Sequence, residues 1–424
     1  MDSIKKYGIV PGLDTIRELC RRLGNPQDGL QFVHIAGTNG KGSVLAYVST
    51  VLRCAGYRVG RYLSPTIRDY RERFQVGGRM ITQKALCGLM EELKQVCEDM
   101  TADGFPHPTP FEVETALGFL YFSREKCDLV VLETGMGGRM DATNVIQNTL
   151  VAVLASVSMD HMQYLGKSLR EIAGEKAGII KPGCKVVTAQ QEPEAMEVIR
   201  ERAEQLQLPL TAVDMAAVKR VRYGLEKQRF DYEGMRDLEI GLAGKYQIGN
   251  AVLAIQVCRA LAECGYDIPG KALRQGLAET RWPGRFTVLG WRPLFVADGA
   301  HNEDAAKKLA ESIEFYFTNK RIIFIMGILK DKEYEKIIEL TAHYADQILT
   351  VTPPDNPRAM SSYELAQEVA KAHPQVTAVD SLEEAVEISH LLAGREDVIL
   401  AFGSLSYMGK LMEIMEKARL RRKD

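Results

Sequence analysis

Short apolar runs rich in β-branched residues alternate along the chain with longer stretches whose apolar positions recur every three to four residues. That alternation predicts an α/β architecture with mainly parallel sheets. "LQFVHIAG", "CDLVVLETG" and "NTLVAVLASV" read as buried strands. "SVLAYVSTVLRCAG" reads as a helix with Val44, Val48, Val51 and Leu52 on one face, ending at Gly56. Between Pro209 and Leu242 the pattern shortens, and "QRFDYEGMRDLEIGL" reads as a hairpin in a small antiparallel annex. In "ETRWPGRFTVLG", Pro283 and Gly284 interrupt the helical pattern. Four more strands follow, "PLFVADGA", "RIIFIMGI", "QILTVTPP" and "DVILAFGS", with helical segments between them. The expected division is an N-terminal domain over 1–284 and a smaller, doubly wound, Rossmann-like domain over 285–424.

The length of 424 residues agrees with two domains. A net charge of −2 gives no reason to expect a nucleic-acid-binding face. The eight cysteines include no C-x-x-C pair, which fits a reduced, cytoplasmic compartment. The start "MDSIKKYGIVPG" lacks an apolar core, and no apolar run approaches the ~18 residues of a membrane span. Neither secretion nor a membrane partner is expected.

The first chemical signal is "FVHIAGTNGKGSV", Phe32 to Val44. Strand, glycine-rich turn and helix start form the context of a phosphate-binding loop, with free N–H groups and the helix dipole facing an anion. The usual spelling places the hydroxyl directly after the lysine; here Gly42 separates Lys41 from Ser43. Thr38, Asn39, Gly40, Lys41, Gly42 and Ser43 are the expected ATP contacts. Lys41 would reach the outer phosphates and Ser43 would hold Mg²⁺. The domain therefore reads as a P-loop-type ATPase. A tight turn beside a solvated lysine is the bland alternative.

Other polar residues sit at the ends of expected strands. Glu133 ends "LVVLE", where it is either metal-bound or a capping or salt-bridged group. Ser64 follows another strand and His161 a third. Ser168 and Glu171 form an S-x-x-E capping box, and Ile172, Ala173, Lys176, Ala177 and Ile180 then share one helix face. Lys176 thus lies on an apolar stripe. Either it snorkels to the rim, or it is a desolvated amine of depressed pKa. Arg285, with its fork of donors, suits a phosphate or an inter-domain ion pair. Asp298 suits a helix cap or a ligand. Asn250 has the donors and acceptor for an adenine edge, though it and His301 could equally cap a helix or lie solvated.

Together "GTNGKGS", "SPT...RERF", "ETGMGGRMDATN", "DHMQYLG...IAGEKAGIIKPG", "NAVLA", "RWPGRF", "DGAHN" and "GILKDK" resemble the folylpolyglutamate synthase and dihydrofolate synthase branch of the Mur ligase superfamily. The resemblance spans nearly the whole chain. It implies two Mg²⁺ sites, with Glu133 and His161 as ligands, Ser64 a further ligand, and a CO₂-derived carbamoyl group on Lys176. It places Asn250 and Asp298 at the nucleotide, and His301 near an incoming L-glutamate as a catalytic group beside Lys41 and Lys176. It assigns Thr109, Pro110, Phe111 and Glu112, with Met140, Asp141 and Ala142, to the pterin of a folate or dihydropteroate. Two departures stand out: Thr66 where the family usually has His, and Tyr246 where it often has His. A monomer is expected by the same analogy.

The expected reaction follows. ATP phosphorylates a carboxylate, and glutamate's amine displaces phosphate from the acyl phosphate. One domain would hold ATP and the acid, and the other would close to deliver glutamate and exclude water. The competing classes are a nucleotide-switch ATPase, a binding-only pseudoenzyme, and a peptidoglycan Mur ligase. The last would need an N-terminal domain before the loop.

Overall fold

The structure, a computed structural model, describes residues 12–160 and 162–421. His161, expected as a metal ligand, lies outside the described residues. The chain folds into two compact units. The first takes in the chain up to Arg220 together with Phe230–Ile240 and Gly249–Thr280, and the second takes in Val221–Arg229, Gly241–Ile248 and the chain from Arg281 onward.

The first unit is built on eight strands: β1 (Phe32–Ala36), β2 (Val59–Tyr62), β3 (Phe74–Val76), β4 (Arg79–Met80), β5 (Leu129–Glu133), β6 (Thr149–Leu154), β7 (Lys185–Thr188) and β8 (Leu210–Ala212). Their order is β4-β3-β2-β5-β1-β6-β7-β8. From β2 to β8 every pairing is parallel; β3 and β4 add on antiparallel at one edge. Every residue of β1 and β5 is buried, which is why they read as short, mainly apolar runs broken only by His34 and ended by Glu133.

Two flanking helices are more deeply sunk than one-face patterning predicts. In the helix Lys41–Cys54, every residue from Gly42 to Leu52 is buried. Gly276, on the helix Gly270–Glu279, permits this: a Cβ there would lie 2.4 Å from the Cα of Val51. The helix Pro110–Arg124 is likewise buried throughout Glu112–Phe122, so the expected stripe is nearly the whole helix. The helix Leu169–Ala177 begins with the expected capping box of Ser168 and Glu171. It stops short of Ile180, however. Gly178 packs so tightly on Arg139 that a Cβ would lie 2.6 Å from the Arg139 Cα, and the chain turns there.

The annex is a three-stranded sheet of β9 (Val218–Arg222), β10 (Gln228–Tyr232) and β11 (Met235–Ile240), ordered β11-β10-β9. Glu233 and Gly234, both at positive φ (43° and 81°), join β10 to β11 in the manner of a primed hairpin turn.

In the second unit lie β12 (Thr287–Trp291), β13 (Leu294–Ala297), β14 (Ile322–Met326), β15 (Gln347–Thr350), β16 (Val376–Ala378) and β17 (Val398–Phe402), ordered β12-β13-β17-β14-β15-β16. All neighbours are parallel except the edge strand β12, which runs antiparallel to β13. Its core gathers Phe286, Val296, Phe324, Leu400 and Phe402 with helical Ala306, Leu309 and Ile313.

Candidate active site

In open parallel sheets, ligands gather beyond the C-terminal ends of the strands. The sheet order sets the ends of β2, β5, β1 and β6 side by side. Those ends lead to Ser64, Glu133, the Gly37–Gly40 turn and Ser156–Asp160. Five expected site positions thus reach one edge through topology alone.

The glycine-rich turn is held from β6. Thr38 and Asn39 donate their N–H groups to the Ser156 carbonyl at 2.7 and 3.2 Å. The Thr38 hydroxyl donates to the Ser158 carbonyl and accepts from the Ser158 N–H, at 2.9 and 3.0 Å. Thr38, expected at the nucleotide, is therefore also a structural latch. Gly37 (φ 153°) could not be Ala, because a Cβ would fall 2.8 Å from that of Ala155. Gly40 sits at φ 87° as the N-cap of the helix Lys41–Cys54, and a Cβ there would fall 2.6 Å from the Asn250 Oδ1. Asn250 therefore stands against the loop at Gly40. A glycine N-cap offers no side-chain oxygen to the first turn of the helix.

Lys41 folds back on its own loop, its Nζ donating to the carbonyls of Gly37 and Thr38 at 3.0 and 3.3 Å. Lys176 is 3% exposed, and its Nζ donates to the same Gly37 carbonyl at 3.1 Å. Of the two readings open from sequence, desolvation holds and snorkelling does not. Burial, and then the charge of Lys41, lower the Lys176 pKa to about 7, against an opposite pull from Asp160 and Asp141.

Ser43 and Glu133 are buried, at 2% and 5% exposure. Glu133 pairs in register with Ile35 of β1, two residues before Gly37. Among the described residues, no three His, Cys, Asp or Glu side chains group as a metal cage. What the edge offers is hydroxyls, the Glu133 and Asp160 carboxylates and a lysine. That donor set fits Mg²⁺, which keeps waters and takes one or two carboxylates plus phosphate oxygens.

The residues expected at the acid substrate fall into two segments that meet. Thr109 and Glu112 form a capping box on the helix Pro110–Arg124, with Thr109 N–H donating to the Glu112 carboxylate at 2.8 Å and Glu112 N–H to the Thr109 hydroxyl at 3.3 Å. Their polar atoms are thus engaged locally. Phe111 projects onto the glycine turn: a Cβ on Gly135 would lie 2.5 Å from the Phe111 ring. At the other end of that turn Met140 is half exposed, while Asp141 and Ala142 are buried. Asp141 accepts from the N–H of Met136 at 2.8 Å and from Thr143 N–H at 3.0 Å.

The second unit has its own polar cluster, beyond β13. Asp298 accepts from the Phe286 N–H and the Ala300 N–H, each at 2.8 Å, and from the Tyr246 hydroxyl at 2.8 Å. Phe286 is held at φ 43°, a left-handed conformation unusual for a bulky residue. Arg285 lies over Gly299, where a Cβ would meet its guanidinium at 2.3 Å. His301 Nδ1 donates to the Gly299 carbonyl at 2.7 Å. Sequence reasoning missed the tie between Tyr246 and Asp298 and the latching role of Ser156 and Ser158. The signal for the latter was "ASVSMDH", a run of small polar residues after a buried strand.

The family models that match the chain are the Mur ligase middle domain, over residues 35–258, and the Mur ligase glutamate ligase domain, over residues 284–405. The dihydrofolate synthase/folylpolyglutamate synthase of Bacillus subtilis is 36% identical over 418 residues, covering 96% of this chain and 95% of its own. The chain belongs to the dihydrofolate synthase/folylpolyglutamate synthase family of Mur ligases. Among solved structures, Mycobacterium tuberculosis folylpolyglutamate synthase complexed with ADP and AMPPCP superposes with a TM-score of 0.89 at 30% identity, covering 96% of this chain and 95% of that one. An Escherichia coli relative in complex with DHPP and ADP superposes with a TM-score of 0.85 at 28% identity, covering 99% and 96%. The match runs through both units, so the glycine-rich turn and the Asp298 cluster both lie inside the family's shared frame.

Proposed function

We propose that the protein is an ATP-dependent ligase that adds L-glutamate to a reduced folate, and also to dihydropteroate. The observation that carries the reading is the glycine-rich turn with Lys41 and Lys176 converging on Gly37, set in a chain similar over 96% of its length to a dihydrofolate synthase/folylpolyglutamate synthase. A free carboxylate does not condense with an amine, because its oxygen is a poor leaving group. The acid's oxygen attacks the γ-phosphorus of ATP and ADP departs. Glutamate's amine then attacks the acyl phosphate, loses a proton and expels inorganic phosphate.

Each residue has a part in this. The N–H groups of Gly40–Ser43 and the ammonium of Lys41 neutralise the migrating phosphoryl. Lys41 gives up its loop carbonyls to do so. Asn250 contacts the nucleotide, as do Arg285 and Asp298, and His301 lies near glutamate. Thr109–Glu112 and Met140–Ala142 face the pterin, with Phe111 as the stacking group. Ser43, Ser64, Glu133 and His161 would hold Mg²⁺, with Lys176 serving a second ion once it carries a carbamate. When bound, the metal supplies positive charge against the phosphate oxygens. The neutral amine of Lys176 forms its N–C bond to CO₂ and releases a proton.

The eight free cysteines suit a reducing cytoplasm. Among the described residues no helix is long and apolar enough to cross a membrane. A cytoplasmic monomer acting on small molecules completes the proposal. The test is a substrate panel with mass detection: dihydropteroate, tetrahydrofolate and its one-carbon forms, each with ATP, Mg²⁺ and glutamate. A product heavier by one glutamyl unit is expected. ATP hydrolysis indifferent to acid and glutamate would contradict it.

A further inference from the structure

His34 lies in the middle of β1, fully buried, three residues before the glycine-rich turn. A polar ring in a central strand needs a reason, since burying it without partners costs roughly 1–3 kcal/mol. Its Nε2 lies 2.9 Å from the hydroxyl of Thr143, itself fully buried. That hydroxyl donates to the Asp141 carboxylate at 2.5 Å. Asp141 spends its other oxygen on the Met136 N–H across the glycine turn. An unbroken chain therefore runs from the strand carrying the phosphate loop to the turn assigned to the acid substrate.

The direction of the chain is fixed by chemistry. His34 Nδ1 has no hydrogen-bond partner and is buried. An orphaned acceptor is tolerated in a core more readily than an orphaned N–H. Nδ1 is therefore the bare nitrogen, and Nε2 carries the proton. Nε2–H donates to the Thr143 oxygen, and Thr143 passes its own proton toward Asp141, which accepts as the carboxylate. The ring stays neutral: burial, and secondarily Lys181, hold its pKa down to about 3. Asn144 braces the same segment, its Nδ2 donating to the carbonyls of Arg139 and Gly178 at 3.0 and 3.2 Å.

We propose that His34 is a positioning residue for the acid substrate: through the Thr143 hydroxyl it fixes the Asp141 carboxylate and so the Gly135–Ala142 turn that receives the substrate's ring. This rests on the assignment of that turn to the folate or pteroate. His34 touches no reacting atom. It sets the turn in register with the phosphate loop, because both hang from β1 or from residues bonded to it.

The test compares His34→Leu and Thr143→Val, which remove the donors, with His34→Gln and Thr143→Ser, which keep them. Loss of a relayed hydrogen bond of this kind raises KM for the acid about tenfold. KM for ATP should stay within about twofold, since Lys41 and the turn's N–H groups are untouched. The conservative pair should recover most of the loss. The double variant His34→Leu/Thr143→Val should be no worse than either single change, because both cut one chain. Equal rises in both KM values, or no rise with Thr143→Val, would overturn the proposal. A second measurement needs no stable donor-deleted variant. In wild-type protein labelled with ¹⁵N-histidine, assigned by His34→Gln, the His34 ring should carry its proton on Nε2; a proton on Nδ1 would overturn it. Wild-type enzyme with no glutamyl product would instead refute the functional reading, leaving the ring's tautomer still measurable.

Discussion

The side-chain nitrogens of Lys41 and Lys176 donate to one oxygen, the carbonyl of Gly37, at 3.0 and 3.1 Å. Two ammonium groups on a single acceptor repel each other. The buried one yields: Lys176 has its pKa lowered to about 7, chiefly by desolvation. Near neutral pH Lys176 is therefore able to react with an electrophile as a free base.

Carbamate formation on Lys176 should therefore rise as pH passes upward through about 7, where the amine loses its proton. With ¹³C-bicarbonate, one carbamate carbon resonance is expected in wild type and none in Lys176→Arg. Lys176→Ala should lower kcat by about 100-fold or more, several kcal/mol of lost charge stabilisation. Full turnover in Lys176→Ala would remove the second-metal role.

Gly40→Ala tests the loop. The new methyl would meet Asn250 and force a left-handed residue to carry a Cβ. A strain of about 1–3 kcal/mol follows. Binding of an ATP analogue, read by calorimetry, should weaken by about one to two decades. The melting temperature without nucleotide should move much less than after Gly276→Ala, where the clash is with the backbone of Val51.

His34 should leave a mark on acid stability. Its folded pKa is held down to about 3, so between about pH 6.5 and 3 the unfolded chain binds a proton that the folded chain refuses. Stability is lost as pH falls through that window, on the order of 3 kcal/mol by pH 4. His34→Gln removes the titrating ring. In urea titrations at pH 7 and pH 4, the variant should lose less stability than wild type across the interval; parallel losses would contradict the assignment.

Tyr246→Phe tests the second unit. Asp298 would keep its two backbone donors and lose the hydroxyl. A cost of about 1 kcal/mol is expected, read as a lower melting temperature. Asp298→Ala should cost more, because Phe286 would lose the acceptor that pins its left-handed backbone. Tyr246→His, the residue that the family resemblance leads one to expect there, should retain turnover.

What the sequence made legible follows from burial. β1, β5, β14 and β17 are wholly buried, so mainly apolar runs announced them, interrupted only by His34 in β1 and ended by Glu133 in β5. The capping box at Ser168 and Glu171 was readable because it is local chemistry. The end of that helix was not, since Gly178 stops it through a long-range approach to Arg139. The short strands β3, β4 and β16 are two or three residues long, too short for any period to show. At the site, the glycine turn and Lys176 were visible as local signals. The ties of Thr38 to Ser158, Tyr246 to Asp298 and His34 to Thr143 were not, because each joins residues 52 or more positions apart.

Transfer of the acid's own oxygen is the most direct test of activation by ATP. The protein would be given dihydropteroate or tetrahydrofolate labelled with ¹⁸O in the reacting carboxyl group, together with ATP, Mg²⁺ and glutamate. Mass spectrometry of the released phosphate should show one ¹⁸O for each glutamyl product formed. Product accompanied by unlabelled phosphate would contradict the acyl phosphate, and labelled acid left unchanged while ATP is hydrolysed would contradict the ligase.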